Sequence, residues 1–303
     1  MQLRLGTRGS PLALVQANLV RDALLAAHGW SPDQVLIVPI RTTGDRVQDR
    51  PLAEIGGKAL WTKELDRALL DGEIDLAVHS MKDVETIRPE TIAVAAMLPR
   101  ADVRDRLIGA DSIDALPAGA RVGTSSPRRA AQLRRLRPDL SIVPLRGNVD
   151  TRRAKVAAGE ADATLLAAAG LDRLGYGDVG TAIDTDLMLP APSQGAVGVE
   201  VRAEDAAVRT QVAAIGDAPT ARCVWAERAL LAALGADCHS PVAAHAMLTP
   251  DGLHLRAEIL REDGSEQVRI VRDGLDGTPH EAVELAQALL AGATPQLRRL
   301  FGH

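Results

Sequence analysis

Aromatic side chains are almost missing from this chain: one Phe, one Tyr and three Trp make up 2% of 303 residues. Proteins that hold single-stranded nucleic acid stack bases on aromatic platforms, so that class is disfavoured. A global basic field is missing too, because 35 Lys and Arg are outnumbered by 40 Asp and Glu for a net charge of -5; this also argues against a nucleic-acid partner. No run approaches the ~18 uninterrupted apolar residues of a membrane helix. The opening Met1-Gln2-Leu3-Arg4-Leu5-Gly6 enters a strand-like pattern without the apolar region of a signal peptide. The expectation is a soluble, cytoplasmic protein with no membrane partner. Only two cysteines occur, Cys223 and Cys238, with no ligand spacing around them, which excludes a disulfide framework and gives no metal site. What remains is 46% hydrophobic, enough for two or three domains with cores of Leu, Val, Ile and Ala.

The chain is organised around residues 122–153. Gly123-Thr124-Ser125-Ser126-Pro127-Arg128-Arg129 reads as a strand end turning into a helix, with Ser126 as cap and Pro127 at its first position. Outward amides, the helix dipole and guanidinium forks together make an anion receptor. Cations are unfavourable at a helix N-terminus, so Arg128 and Arg129 call for a negative partner. Arg134, Arg135 and Arg137 read as ordinary solvated surface.

The same arrangement occurs near the N-terminus: strand Leu3–Leu5, then Gly6-Thr7-Arg8-Gly9-Ser10-Pro11, then a helix with apolar residues at helical spacing. Arg8 and Ser10 are a second candidate anion contact. Further strands are expected at 35–40, 75–80 and 92–98, with an amphipathic helix over 60–70. Lys82 and Asp83 follow the strand at 75–80, where open α/β sheets bind ligands. Pro99-Arg100-Ala101-Asp102 reads as a crossing into a second domain with strands at 121–123, 141–145 and 163–167, helices between them, and a largely parallel sheet. Leu189–Gly195, which contains Gln194, breaks that rhythm as a hinge or crossover. A strand over 197–201 and a helix over 206–215 follow, and then an alanine-rich helix over 221–234. From Val242 two Asp-Gly turns between alternating strands give an antiparallel meander covered by helices, a small α+β domain.

Residue by residue, the chemistry stays open. Asp83 beside Lys82 suits a general acid, a charge stabiliser or half of a surface ion pair, and the ion pair is the simplest of the three. His79 and His239 read as hydrogen-bonded structural residues. Cys223 reads as a buried apolar thiol. Cys238 sits in a loop beside His239, and either a packed thiol or an exposed, modifiable sulfur, a cysteine hydrolase among the options, fits that position.

Taken together, the motifs Arg8-Gly9-Ser10-Pro11-Leu12-Ala13, Gly56-Gly57-Lys58, His79-Ser80-Met81-Lys82-Asp83, Gly123 to Arg129, Leu145-Arg146-Gly147-Asn148-Val149, Ala169 to Leu174, Gln194-Gly195-Ala196-Val197-Gly198 and Ala226-Glu227-Arg228 resemble the porphobilinogen deaminase family, in that family's order and over essentially the whole chain. The resemblance implies an α/β fold of two periplasmic-binding-protein-like (type II) βα domains around a cleft, plus a small α+β C-terminal domain. The implied boundaries are 1–98 with 196–216, 99–195, and 217–303. It implies a dipyrromethane cofactor in thioether linkage to Cys238, and Asp83 as the catalytic carboxylate. Lys82, Asp83, Thr124, Ser125, Ser126, Arg128 and Arg129 would hold the cofactor, while Arg8, Ser10, Gln16, Arg146, Arg152, Arg173 and Gln194 would handle the substrate porphobilinogen or the growing chain. Residues 45–57, polar and glycine-rich, read as a mobile lid over the cleft, and the enzyme is expected to act as a monomer.

The implied reaction explains these residue types. Loss of ammonia from porphobilinogen leaves an electrophilic azafulvene, and positive charge develops on pyrrole nitrogen, which a fixed carboxylate stabilises. Pyrroles bearing acetate and propionate make a polyanion that arginine forks hold in register. Departures from the family pattern are Ala236-Asp237 and Ala243 around the cysteine loop, Asp150 and Pro127 in the arginine stretch, and Trp61. The runner-up reading is a non-catalytic protein of the same two-lobed fold that binds a carboxylate ligand, and the lack of an export signal counts against it.

Overall fold

The computed structural model describes residues 2–41 and 62–302. The Gly56-Gly57-Lys58 turn, the lid expected at 45–57 and Trp61 lie outside the described residues. The chain forms two compact units, Met1–Ala101 with Gly195–Ala221 and Asp102–Gln194 with Arg222–His303.

In the first unit, β1 (Leu3–Arg8), β2 (Val35–Ile40), β3 (Leu76–Ser80), β4 (Ile92–Met97) and the returning β10 (Val197–Arg202) form one sheet in the order β2-β1-β3-β10-β4. β1 lies parallel to β2 and β3, whereas β10 runs antiparallel to β3 and β4. Leu76, Ala77, Val78 and His79 are all buried, so β3 is covered on both faces. Leu3, Leu5, Val20, Leu24, Val197 and Val199 build the core. Helix Pro11–His28 begins as its sequence dictates: Ser10 Oγ accepts from the Ala13 amide and Pro11 opens the first turn.

The second unit holds β5 (Asp105–Ile108), β6 (Arg121–Gly123), β7 (Ser141–Val143), β8 (Ala163–Ala167) and β9 (Thr181–Ala182) in the order β7-β6-β8-β5-β9. β6 is parallel to β7 and β8, but β5 is antiparallel to β8 and β9. The largely parallel sheet expected here is therefore corrected to a mixed one. The reason is β5, which carries only two apolar residues in four and alternates buried with half-buried positions, so it leaves no apolar run to read.

The same unit contains an antiparallel meander of β11 (Val242–Thr249), β12 (Gly252–Leu260) and β13 (Gln267–Leu275). Helices Ala218–Ala233 and Pro279–Gly292 flank it in sequence, and Leu230, Leu234, Leu255, Ile259 and Leu289 pack in its core. The architecture is thus two α/β sheets and a small α+β part, the fold class expected. Within the unit, the Ala244 amide donates to the Pro190 carbonyl at 3.2 Å and Gln132 Nε2 to Glu258 Oε1 at 2.6 Å, tying the meander to the second sheet.

Candidate functional site

In the first unit, the C-terminal ends of β1 and β3 lie side by side and open a pocket lined by Arg8, Ser10, Gln16, His79, Ser80 and Asp83, among others. Arg8 ends β1 and Ser80 ends β3, after which Met81–Asp83 form a single 3-10 turn that brings Asp83 to the pocket wall. Gln16 is buried on helix Pro11–His28 and its Nε2 donates to Ser80 Oγ at 2.8 Å, so the floor is set by a paired amide and hydroxyl. Asp83 is half-buried, and no hydrogen bond or ion pair engages it among the described residues. The surface ion pair that was the simplest account of Asp83 is therefore not formed there. Lys82, beside it, is half-buried.

Behind this pocket is a buried charge network. His79 Nε2 stands 3.1 Å from Glu200 Oε2, and Arg88 grips Glu200 with two bonds of 2.8 and 2.9 Å while reaching Glu85 at 2.6 Å and Asp66 at 2.5 Å. Burial opposes ionisation of Glu200, but His79 and Arg88 outweigh it and hold the carboxyl at about 2. His79 thus stands between this network and the pocket that it lines.

In the second unit, the loop 124–126 is fixed by its own hydroxyls. Thr124 Oγ1 accepts from the Ser126 amide at 3.1 Å, Ser125 Oγ donates to the Leu145 carbonyl at 3.1 Å, and Ser126 Oγ caps helix Pro127–Leu136 by accepting from the Arg129 amide. Arg128 and Arg129 are 3% and 6% exposed, so they are core residues, unlike a solvated basic helix. Their negative partner is Asp105, the first residue of β5. Arg128 Nη2 reaches Asp105 Oδ2 at 2.8 Å and Arg129 Nη2 reaches Oδ1 at 2.6 Å. Burial pushes the Asp105 carboxyl up, but the charges of Arg129 and Arg128 prevail and hold it far below the ordinary carboxylate range. Arg128 Nε stays buried without a hydrogen-bond partner.

Gln194 joins this cluster, donating to Asp105 Oδ1 at 2.8 Å and to the Val103 carbonyl at 2.7 Å. Its neighbour Ser193 adopts φ 67 without being glycine, a conformation that persists only when the surroundings hold it. Here its amide donates to buried Glu227 at 2.6 Å, and the other Glu227 oxygen accepts from the Ala246 amide at 2.7 Å.

Farther along the second sheet, Arg146 and Arg173 are half-buried, and one Arg146 nitrogen, Nη1, is buried without a hydrogen-bond partner. Burial lowers the Arg173 guanidinium pKa. Arg152 Nε donates to the Gly147 carbonyl at 2.9 Å, and Gly147 takes φ 118 where a Cβ would strike Thr151 at 2.6 Å. Asp150, a departure from the family pattern, is occupied by the Tyr176 hydroxyl at 2.8 Å and stands 3.8 Å from Arg153. Arg137 pairs with Asp139 at 2.7 Å and Arg134 donates to the Glu262 carbonyl at 2.8 Å, so these outer arginines brace the surface.

Cys238 is exposed at the tip of a turn, whereas Cys223 is buried in the meander core. That resolves the open reading of Cys238 in favour of an exposed sulfur. Asp237 shapes the turn: its Oδ1 accepts from the His239 amide at 2.9 Å, and its carbonyl accepts from the Ser240 amide at 3.0 Å. The departure at this position thus closes the loop with a side chain.

Asp105 and the Arg88–Glu200 pair escaped the sequence, whereas Ser80 and Glu227 stood in family motifs without an assigned role. Only the charge imbalance at Arg128 and Arg129 announced Asp105, and it gave no position.

Two family models cover the chain: residues 3–210 match "Porphobilinogen deaminase, dipyromethane cofactor binding domain" and residues 221–293 match "Porphobilinogen deaminase, C-terminal domain". The chain is 60% identical to a porphobilinogen deaminase of Sphingopyxis alaskensis, over 99% of this chain and 96% of that one. It is 55% identical to one from Paracoccus denitrificans over 90% and 88%, and 49% identical to one from Nitrobacter hamburgensis over 99% and 93%. The chain belongs to the porphobilinogen deaminase family.

Proposed function

We propose that Asp83 is the catalytic carboxylate and Cys238 the attachment point of dipyrromethane in the reaction of this family, the head-to-tail condensation of four porphobilinogen molecules with loss of ammonia and hydrolytic release of hydroxymethylbilane. The observation that carries the reading is the shared pocket: Asp83 stands with Arg8, Ser10 and Gln16 and has no hydrogen bond or ion pair of its own among the described residues. An unpaired carboxylate beside a cation and fixed polar groups suits charge that arises only during reaction. Arg8 and the Gln16–Ser80 pair bind and orient a substrate carboxylate, while Asp83 stabilises the cationic pyrrole nitrogen and holds or passes its proton.

The residues fit the cofactor. Cys238 offers an exposed sulfur, and the anchor in the second domain keeps a buried Arg128 Nε without a partner, a donor suited to an acidic side chain. Lys82, Thr124, Ser125, Ser126, Arg128 and Arg129 would hold the group, which supplies a covalently tethered primer with one pyrrole end open to extension. Arg146, Arg152, Arg173 and Gln194 would serve the lengthening polyanion. Domains 1–98 with 196–216, 99–195 and 217–303 complete the reading. Monomeric action in the cytoplasm without nucleic acid is part of the same proposal; the charge of -5 and the scarcity of aromatics support the last of these. Among the described residues no helix is long and apolar enough to cross a membrane. The reading of a binding protein without catalysis is not favoured by membership of this family.

Intact-protein mass spectrometry tests the proposal. The wild-type chain is expected to carry a dipyrromethane-sized adduct and Cys238→Ser to lack it. A wild type without the adduct, or a variant that keeps it, overturns the assignment of Cys238.

A further inference from the structure

Asp105 is 2% exposed and uses both oxygens fully: Oδ1 accepts from Arg129 Nη2 at 2.6 Å and Gln194 Nε2 at 2.8 Å, and Oδ2 from Arg128 Nη2 at 2.8 Å and Arg129 Nε at 3.1 Å. The donors come from two distant stretches of sequence, Arg128-Arg129 on one helix and Gln194 on a loop, and this one carboxylate joins them. Backbone carbonyls complete the clamp: Leu165 accepts from Arg129 Nη1 at 3.0 Å and Leu189 from Arg128 Nη1 at 2.7 Å. Gln132 accepts from Arg128 at 2.8 Å and passes the contact to Glu258, whose own charge faces Arg269 at 3.3 Å. Two buried cations against one buried anion leave one unit of positive charge in the cluster. Uncompensated charge is costly in such surroundings, and it is offset when a ligand carboxylate arrives.

We infer that Asp105 is a positioning residue for the reaction: it orients the Arg128 and Arg129 forks and Gln194, and sets the anchor's net charge to match one ligand carboxylate. The inference rests on the reading of those three residues as ligand contacts. Asp105 touches neither substrate nor cofactor and acts through its arginines. Its loss therefore shows in how well a correctly assembled enzyme works, beyond how stably it folds.

The test compares wild type with Asp105→Asn, which keeps shape and removes charge, and Asp105→Glu, which keeps charge and moves it by one methylene. Leu133→Ala, a fully buried core change on the same helix, serves as a control for lost stability. Turnover of porphobilinogen is measured per adduct-bearing chain, counted by intact mass, alongside the melting temperature. Both Asp105 variants should lose turnover per adduct-bearing chain by about tenfold or more, since sub-ångström misplacement of binding groups carries that penalty, whereas Leu133→Ala melts earlier with wild-type turnover per adduct-bearing chain. Wild-type turnover in either Asp105 variant, or a parallel loss in Leu133→Ala, overturns the inference. Failure of both Asp105 variants to fold also overturns it, by reducing Asp105 to a requirement of the fold. The underlying reading fails separately, through a wild type without adduct, and then total turnover of the same chains is compared with the same expected ratios.

Discussion

Two carboxylates, Asp83 in the first unit and Asp105 in the second, are handled in opposite ways. Asp105 is buried, accepts four hydrogen bonds and balances two guanidinium groups. Asp83 is half-buried in an open pocket with none among the described residues. Asp105 is spent on holding Arg128, Arg129 and Gln194, and Asp83 is left available for chemistry. The difference teaches which kind of loss each should produce: removing Asp105 unbalances buried charge, and removing Asp83 leaves every described hydrogen bond in place.

The largest effect expected from breaking this contrast is on stability. Asp105→Ala strands two buried guanidinium groups, and urea unfolding should show a loss of about 3–5 kcal/mol. Acid sharpens the same point in the first unit. The Glu200 carboxyl is held at about 2, below its unfolded value, so its stabilisation is complete above the unfolded pKa and vanishes as pH falls through the folded one. Wild type should lose on the order of 3 kcal/mol from this group between about pH 4.5 and pH 2, and Glu200→Gln should flatten that part of the stability profile. A smaller change is expected at Ser126, whose hydroxyl caps the arginine helix. Ser126→Ala should lower stability by about 1 kcal/mol, measured by the same unfolding titration. Smallest is Arg121→Ala on the exposed Asp162 pair, which should barely move the urea midpoint, and less still in high salt.

What was legible in the sequence was local. Ser10-Pro11 and Ser126-Pro127 start helices where their caps act across three residues, and Asp83 follows directly from the end of a hydrophobic strand. Helix Val149–Ala157 likewise starts at a local signal, Asn148, whose side chain caps it by accepting from the Thr151 amide. β13 runs on to Leu275 through exposed residues that give no apolar signal. The partner of Arg128 and Arg129 was illegible for two physical reasons: Asp105 lies more than twenty residues away, and its four-residue strand has a polar residue at one of its two buried positions. Buried charge networks are set by tertiary packing, and no short-range pattern announces them.

That Asp83 acts on the reacting groups themselves, while Asp105 acts only through the side chains it holds, is tested most directly by the steady-state turnover of Asp83→Ala with porphobilinogen, read against its melting temperature. Turnover should fall by about 10²–10³-fold or more with a melting temperature close to wild type. Near-normal turnover, or a loss explained by unfolding, would contradict it.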